Sequence, residues 1–467
     1  MILKQYYLQC LSHASYLIGD ESTGRAVVID PQRDVSQYLA DAEEAGLHIE
    51  RVIETHYHAD FLSGHLEIAK ATGAVISYGE AGKGKAEYPV DWLADGQRLS
   101  LGDVQLQVMA TPGHTPESIC VVVYEHADDT APYGIFTGDT LFIGDVGRPD
   151  LLGGFGLKAE DLASMLFHSL HDKVLTLPDA TQVFPAHGAG SACGKALSDE
   201  KSSTLGQQRA TNYALAPMSE DEFVATVTEG QPAAPGYFPF AAVRNRQGHD
   251  LLTEDTAPVE MSLDAVLAAQ SNGAVLLDTR SDGEFATGHL RGAVNVGLDG
   301  RFSELAGQVV APSDRIVLVG EPATALEAKV RLARIGFDNV AGYLDDLVSA
   351  LVTRPDLAER SSRVTVTELD RLMSGSAPIV LIDVRNPGEV AAGIIPGARV
   401  IHLAHLMKRS GELDPQSVIV VNCQSGRRSS TAASYLRAHG FADVSDLIGG
   451  IAAWQAAGKE IGELATA

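Results

Sequence analysis

An internal repeat in the C-terminal half of the chain constrains the fold most strongly. The segment AVLLDTR at residues 274–280 recurs as IVLIDVR at residues 379–385. Each copy is followed by a glutamate, a Gly-Ala pair, a second apolar run and a Gly-Phe pair. Such self-similarity indicates two units built on one plan. Because the apolar runs are continuous rather than alternating, we expect parallel strands in two α/β domains, at residues 259–352 and 363–467.

The region before the repeat alternates strand-like and helix-like segments. Residues 26–30 are predicted to form a buried strand, and residues 35–45 and 195–208 are predicted to form helices. A proline-rich stretch at residues 231–239 separates this region from the repeat. The pattern predicts a layered α/β domain over residues 1–245.

Composition and charge exclude several classes of partner. The formal net charge is −26, which disfavours binding to nucleic acid or to an anionic membrane surface. The four cysteines are far apart and form no C-x-x-C pair, a usage typical of reduced thiols in a cytoplasm. The N-terminal residues lack the features of a signal peptide, and no apolar run approaches the ~20 residues that span a bilayer. We therefore expect a cytoplasmic protein.

The stretch THYHADF at residues 55–61 is the strongest candidate for a functional site. In an extended segment residues i and i+2 point to the same side, so two histidines and an aspartate of this stretch can face one cavity. Three further candidate ligands lie in loops after strand-like runs. Together these residue types and loop positions predict a metal site, and the six candidates are His56, His58, Asp60, His114, Asp139 and His187.

Phe61 bears on the number of metal ions. A histidine at this position would add a ligand for a second metal, but a phenyl ring cannot coordinate. The site therefore favours one metal with open coordination positions. A second metal would still have Asp60, His187 and a shared Asp139, so the two-metal alternative remains open.

The motifs THxHxD, TPGHT, FTGDTLF and PAHG, spread over residues 1–245, resemble those of the metallo-β-lactamase superfamily, an αββα sandwich. That superfamily includes dinuclear zinc thioester hydrolases such as glyoxalase II and mononuclear iron persulfide dioxygenases. Resemblance to the second group implies one Fe(II) per chain on His56, His114 and Asp139. It also implies that His58, Asp60 and His187 orient these ligands or hold a water. The segment GDVGRPD at residues 144–150 resembles the dioxygenase group too, and implies that Arg148 shapes the substrate pocket or pairs with Asp150.

The ligand chemistry agrees with iron. Two histidines and one carboxylate form the facial set of non-haem Fe(II) oxygenases. Three positions then stay open for water, a sulfur ligand and O₂. Zinc is the alternative metal, in the dinuclear hydrolase reading.

A second candidate site is the loop NCQSGRRS at residues 422–429. It follows a strand-like run and opens a helix, so backbone N–H groups and the positive helix end favour a thiolate at Cys423. The loop resembles the active site of a rhodanese, which carries sulfane sulfur on this cysteine. The resemblance implies that the rest of the loop cradles an anionic substrate, through Gln424, Ser425, Gly426, Arg427, Arg428 and Ser429. In the middle copy Gly320-Glu321-Pro322 replaces the cysteine, so residues 259–352 resemble a rhodanese without its chemistry.

Cys193 has two readings. It is a small buried residue between glycines, or a thiol that holds or senses a persulfide near the metal. The predicted helix that follows it would lower its pKa.

The domain order resembles the three-domain persulfide dioxygenase–sulfurtransferase fusions of bacteria. This resemblance implies oxidation of a small-molecule thiol persulfide by O₂ to sulfite. Cys423 would then interconvert persulfide plus sulfite and thiosulfate. Two alternatives are a glyoxalase II-type dinuclear zinc hydrolase fused to a sulfurtransferase, and a sulfur relay to a protein partner. The catalytically empty copy suggests a homo-oligomer.

Overall fold

The computed structural model describes residues 1–151, 153 and 156–464. The chain divides into two compact units, one of Met1–Gln231 with Phe238–Glu254, the other of Pro232–Tyr237 with Asp255–Ala467. The finer domain limits expected from the sequence stay predictions. Residues 465–467, the end of the third predicted domain, lie outside the described residues.

The first unit contains two six-stranded sheets. The first sheet runs in the order β1-β2-β3-β4-β5-β6, and the second in the order β12-β11-β10-β9-β8-β7. The strands of the first sheet are β1 Ile2–Leu8, β2 His13–Asp20, β3 Arg25–Ile29, β4 His48–Ile53, β5 Val75–Gly79 and β6 Asp91–Leu93. Those of the second are β7 Arg98–Ser100, β8 Gln105–Ala110, β9 Ile119–Tyr124, β10 Gly134–Gly138, β11 Gln182–Pro185 and β12 Ser203–Thr204.

Helices cover the outer faces of both sheets. The helices of this unit are α1 Ser36–Glu44, α2 His65–Thr72, α3 Ala159–His168, α4 Leu205–Thr211, α5 Glu220–Thr228 and α6 Phe238–Arg244. The two sheets share an apolar core in which Val27 and Ile29 meet Val121. A second core packs Tyr38 of α1 on the first sheet, and a third packs Leu166 of α3 on the second. The layers are therefore α, β, β and α, which confirms the sandwich expected from the motifs.

One predicted helix is wrong. Residues 195–208 were expected to be helical throughout, but the helix begins only at Leu205, where Thr204 caps it by accepting the N–H of Gln207. The segment before Leu205 is irregular because its backbone is hydrogen-bonded to Asp145. One carboxylate oxygen of Asp145 accepts the N–H groups of Lys195 and Ala196. A tertiary contact has overridden the local helix pattern.

The second unit contains two parallel sheets built on the repeat. One has four strands in the order β15-β13-β16-β17, and the other has five in the order β19-β23-β22-β20-β21. The strands are β13 Val275–Asp278, β14 His289–Leu290, β15 Val294–Asn295, β16 Ile316–Val319, β17 Val340–Leu344, β18 Ala358–Glu359, β19 Ser362–Val364, β20 Ile379–Asp383, β21 Arg399–Val400, β22 Val418–Asn422 and β23 Asp443–Leu447. β14 and β18 form a separate antiparallel pair. The continuous apolar runs thus form parallel strands, as predicted.

Ten α-helices lie among the described residues of this unit. They are α7 Leu263–Ser271, α8 Asp282–Thr287, α9 Phe302–Ala306, α10 Pro322–Ala333, α11 Leu347–Thr353, α12 Val366–Ser374, α13 Pro387–Ala391, α14 Leu403–Arg409, α15 Arg427–Ala438 and α16 Gly450–Ala456. In the described part of the whole chain, no helix combines the length and apolar character that crossing a bilayer requires.

Candidate metal centre and cysteine loop

Three of the six candidate metal ligands converge at one edge of the sandwich. His56 follows β4, His114 follows β8 and Asp139 follows β10, and all three are buried. Their ligand atoms lie within 4.8 Å of one another. The Oδ2 atom of Asp139 lies 3.5 Å from Nε2 of His114 and 4.0 Å from Nε2 of His56. Two imidazole nitrogens and one carboxylate oxygen thus face a common point.

Hydrogen bonds to the other ring nitrogens direct both histidines. Nδ1 of His114 donates to the carbonyl of Arg148 at 2.8 Å. Nδ1 of His56 lies 3.0 Å from Oγ1 of Thr55, whose hydroxyl donates to Asp30 at 2.8 Å. Since that hydroxyl proton is committed to Asp30, the Thr55 oxygen accepts from His56. Each ring therefore carries its proton on Nδ1 and presents the Nε2 lone pair inward.

The charge states also suit a cation. Burial and the neighbouring His58 hold the pKa of His56 well below its usual range, so the ring is neutral. Burial alone would raise the pKa of Asp139, but His187 and His114 lower it well below its usual value. Among the described residues, Oδ2 of Asp139 is buried without a hydrogen-bond partner. A buried carboxylate oxygen in that state is costly unless a cation completes its surroundings, so the donor set fits a divalent metal.

His187 lies between two carboxylates beside this centre. Its Nδ1 is 2.8 Å from Oδ1 of Asp139, and its Nε2 is 2.8 Å from Oδ2 of Asp60. Burial alone would lower the pKa of His187, but Asp139 and Asp60 raise it well above its usual value. The hydrogen bond from His187 holds Oδ1 of Asp139, while Oδ2 faces the two histidine nitrogens. This contact is compatible with the orienting role that the family resemblance implies, which stays a prediction.

His58 faces a different pair of carboxylates. Its Nε2 lies 3.1 Å from Asp30 and 3.2 Å from Glu54, and all three side chains are buried. Burial alone would lower the pKa of His58, but the two carboxylates, Asp30 first, raise it to about 10. Its ring centroid is 4.1 Å from that of His56. His58 therefore packs against His56 and links the loop at residues 55–61 to Asp30 and Glu54.

The structure places Cys193 next to the centre but corrects its expected chemistry. Its sulfur groups with Asp60 and His187 within 4.8 Å, and the side chain is 1% exposed. Burial and the neighbouring Asp60 raise the pKa of Cys193 well above its ordinary value, and the predicted helix after it does not form. The expectation of a lowered pKa is therefore wrong: this position favours the neutral thiol.

Arg148 is committed to structural contacts. Its guanidinium makes a two-point bond with Asp150, with both N–O distances 2.7 Å, and also donates to the carbonyl of Ala192. The side chain is 3% exposed. The pairing alternative for Arg148 and Asp150 is thus observed, while a role in shaping the pocket stays a prediction.

Two features of this region were missed in the sequence. His13 packs against Phe61 with ring centroids 4.0 Å apart, and among the described residues neither of its ring nitrogens has a hydrogen-bond partner. His13 belongs to no recognisable sequence motif, so its place beside Phe61 follows only from the packing of β2. The Asp30–Thr55 contact was missed too, although Asp30 ends the predicted strand at residues 26–30 and so points toward the same sheet edge.

The cysteine loop lies in the second unit, at the carboxyl end of β22. Sγ of Cys423 accepts the N–H of Gly426 at 3.2 Å and the hydroxyl of Ser429 at 3.5 Å. Gly426 has φ +101°, a left-handed conformation that lets the chain turn directly into α15. Both donors and the helix end stabilise negative charge on the sulfur.

The remaining loop residues surround the mouth of the site. Gln424 and Ser425 are exposed, as is Arg427. Arg428 makes a two-point bond with Glu389, with N–O distances of 2.7 and 2.6 Å. The loop residues predicted as an anion cradle are therefore brought together, with one of the two guanidinium groups already paired to a carboxylate.

The corresponding place in the middle copy holds no cysteine. A cavity of about 790 Å³ lies there, and Gly320 and Glu321 form part of its wall. Its charged lining is mostly acidic and includes Asp299, Glu327 and Asp345. This cavity offers neither a nucleophilic thiol nor a cationic loop.

Comparison with known proteins assigns both regions to families. Residues 8–187 match the metallo-beta-lactamase superfamily, and residues 262–348 and 365–457 match the rhodanese-like domain. A mitochondrial persulfide dioxygenase of Bos taurus is 30% identical over 250 residues, which are 52% of this chain and 87% of that protein. A cytoplasmic hydroxyacylglutathione hydrolase of Arabidopsis thaliana is 33% identical over 187 residues, 40% of this chain and 67% of that one.

A crystal structure shows the same relationship over a longer span. A metallo-beta-lactamase from Staphylococcus aureus is 36% identical, with a TM-score of 0.67. The alignment covers 74% of this chain and 98% of that one. The superfamily and the two rhodanese-like domains expected from the sequence motifs are thereby confirmed.

Proposed function

Because the chain belongs to the metallo-beta-lactamase superfamily and carries two rhodanese-like domains, we propose that it is a persulfide dioxygenase joined to a sulfurtransferase. The first reaction is RSSH + O₂ + H₂O → RSH + SO₃²⁻ + 2H⁺, in which the outer sulfur is oxidised and dioxygen is reduced. The substrate is a small-molecule thiol persulfide. The observation that carries the proposal is the convergence of His56, His114 and Asp139 in a chain related to a persulfide dioxygenase.

The three converging side chains would hold one ferrous ion. Bound there, the ion would activate dioxygen and the persulfide sulfur together, because three protein ligands leave positions open. Thr55 and the carbonyl of Arg148 hold the rings in the ligating tautomer, and His187 holds the carboxylate. The protein's own contribution is thus a fixed, buried set of donors.

Cys193 supplies a second sulfur beside this centre. We infer that this thiol, which lies near Asp60 and His187, contacts the substrate's sulfur or carries a persulfide itself. Mass spectrometry of persulfide-treated protein, compared with Cys193→Ser, tests the second role. A +32 Da adduct that maps to Cys193 supports it, and the absence of any adduct there rejects it.

The second reaction belongs to Cys423. Its thiolate attacks the outer sulfur of a persulfide, forms Cys–S–SH and releases the thiol. Sulfite then attacks the outer sulfur, so that thiosulfate leaves and the Cys423 thiolate is regenerated. The reverse direction would load Cys423 from thiosulfate. The N–H of Gly426 and the hydroxyl of Ser429 hold the charge on sulfur in both directions.

Paired variants test the assignment of each reaction to its site. Cys423→Ser should keep persulfide-dependent oxygen uptake and lose sulfur transfer from thiosulfate to an acceptor. His114→Ala should lose oxygen uptake and keep the transfer. His126→Ala changes a histidine that is 61% exposed, and should keep both activities. Loss of oxygen uptake in Cys423→Ser would contradict two separable sites.

A thioester hydrolase is the second candidate. It is favoured by the relationship to the Arabidopsis thaliana hydrolase and by the group of Asp60, His187 and Cys193, which offers three ligand types for another metal. Against this candidate, position 61 holds a phenylalanine, which cannot coordinate a metal as a histidine at that position would. Metal content and oxygen dependence separate the two candidates.

A further inference from the structure

The cysteine-free middle copy is fastened to the helix that carries the cysteine loop. The N–H of Asn295, in β15, donates to the hydroxyl of Ser434, in α15, at 2.9 Å, and both residues are buried. Arg363 links Asp282 of the middle copy to Asp446 of the last copy, at 2.7 and 3.0 Å. The position of the middle copy relative to the last copy is therefore fixed by directional contacts.

One loop of the middle copy reaches the cysteine loop itself. Nη1 of Arg427 donates to the backbone carbonyl of Asp299 at 3.2 Å. The next residue, Gly300, has φ +66°. A Cβ atom on Gly300 would lie 2.6 Å from Nη1 of Arg427, closer than two such atoms can approach. The absence of a side chain at position 300 thus makes room for the guanidinium.

Arg427 is also the guanidinium that remains available to a substrate. Arg428, its neighbour, is paired with Glu389 through both of its Nη atoms. Arg427 uses one of its five N–H donors for the neutral carbonyl of Asp299. Its side chain is exposed and makes no other hydrogen bond among the described residues, so its remaining donors are available to an anion.

We propose that the middle copy is a positioning element for sulfur transfer: its Asp299–Gly300 segment docks Arg427 over the mouth of the Cys423 loop. This inference rests on the sulfurtransferase role proposed for Cys423. A free arginine on a surface samples many rotamers, and the docked one has already lost part of that freedom. The contact lowers the cost of binding anionic thiosulfate or sulfite, and leaves the attack by Cys423 itself unchanged.

A single methyl group tests the contact. Gly300→Ala places a Cβ where Nη1 of Arg427 lies, and the flexible guanidinium is the group that moves. We expect the KM for thiosulfate to rise about two- to fivefold with kcat nearly unchanged, the range for one exposed, charge-assisted contact. Oxygen uptake with a persulfide should stay at the wild-type rate.

Gly273→Ala is the matched control. Gly273 belongs to the same copy and also has a positive φ, +88°, but a Cβ there meets nothing within 4 Å. It imposes comparable backbone strain without touching Arg427. A rise in KM as large in Gly273→Ala as in Gly300→Ala would show that the effect is strain, and would overturn the proposal.

A double-mutant cycle is the most direct test of the contact, because it isolates the interaction between Gly300 and Arg427. Arg427→Gln should raise the KM for thiosulfate, and Gly300→Ala should add nothing further in that background. Additive effects in the cycle, or an unchanged KM in Arg427→Gln, would overturn the proposal. The Arg427→Gln measurement stands even if Gly300→Ala fails to fold.

The proposed function is tested separately. Wild-type protein without any Cys423-dependent sulfur transfer would refute the sulfurtransferase assignment before the cycle is measured. Active wild-type protein with a KM insensitive to Gly300→Ala would refute the positioning role and leave that assignment intact.

Discussion

Thr55 determines which nitrogen His56 presents to the metal position. Its hydroxyl gives its proton to Asp30 and accepts the Nδ1 proton of His56. Asp30 also accepts the backbone N–H of Thr55 at 2.7 Å, so one buried carboxylate fixes both the loop and the ring. The orientation of His56 therefore depends on two residues, Asp30 and Thr55, that lie outside the proposed set of metal ligands.

Replacing Thr55 with valine should weaken metal binding. Valine keeps the shape but cannot accept the Nδ1 proton, so the ring loses its preferred tautomer. We expect the metal dissociation constant to rise ~10- to 100-fold, as is common when such an outer partner is lost. Competition with a chromophoric chelator measures it.

Thr130→Val is the control, because Thr130 is exposed and lies in a loop. Wild-type affinity in Thr55→Val would show that the Asp30–Thr55–His56 chain does not orient the ligand.

At the scale of single residues, the sequence predicts the candidate metal ligands better than it predicts the residues that orient those ligands by hydrogen bonds. The six candidate metal ligands were identified because each is a metal-binding residue in a loop after a strand. Asp30 and Thr55 belong to the same strand ends, yet nothing local marks their hydrogen bonds. For Cys193 the sequence identifies the residue but predicts the wrong direction for its pKa. The pKa is raised by burial and by Asp60, which is distant in sequence.

At the scale of elements, α15 joins the two repeat copies. It carries Cys423's loop at its start and receives the backbone of β15 along its side. The hydroxyl of Ser434 also donates to the carbonyl of Thr431 at 2.8 Å, which leaves its oxygen to accept from Asn295. One serine thus satisfies a buried backbone N–H of another element.

Ser434→Ala should destabilise the second unit. The N–H of Asn295 would remain buried without a partner, which costs about 1–3 kcal/mol. Thermal or urea unfolding measures the loss, and the exposed Ser376→Ala serves as the control. A stability equal to wild type would mean that the copies do not depend on this bond.

Element type follows from pattern where tertiary contacts agree with it. The repeat strands are buried on both faces, and their continuous apolar runs predict parallel pairing correctly. Residues 195–204 fail because Asp145 binds the N–H groups of Lys195 and Ala196, which a helix would otherwise use. A charged side chain fifty residues earlier in the chain decides that segment, and a local pattern does not contain it.

At the scale of the whole molecule, the proposed function places two sulfur chemistries in one chain and links them through sulfite. In that proposal sulfite, which is small and diffusible, is released at the first site before Cys423 uses it. The two sites should therefore complement each other between molecules.

An equal mixture of the Cys423→Ser and His114→Ala proteins should form thiosulfate from persulfide and O₂. Each variant alone should form little, because the first lacks transfer and the second lacks sulfite production. Thiosulfate is measured by chromatography of the anion. A mixture as inactive as its components would contradict exchange through free sulfite.

One ferrous ion held by His56, His114 and Asp139 is proposed to support the oxygen chemistry of this protein. Metal analysis of anaerobically purified, active protein, combined with oxygen uptake on a small-molecule persulfide, tests this proposal. We expect about one iron per chain and one O₂ consumed for each sulfite formed. Two zinc ions per chain, with thioester hydrolysis and no oxygen uptake, would contradict it.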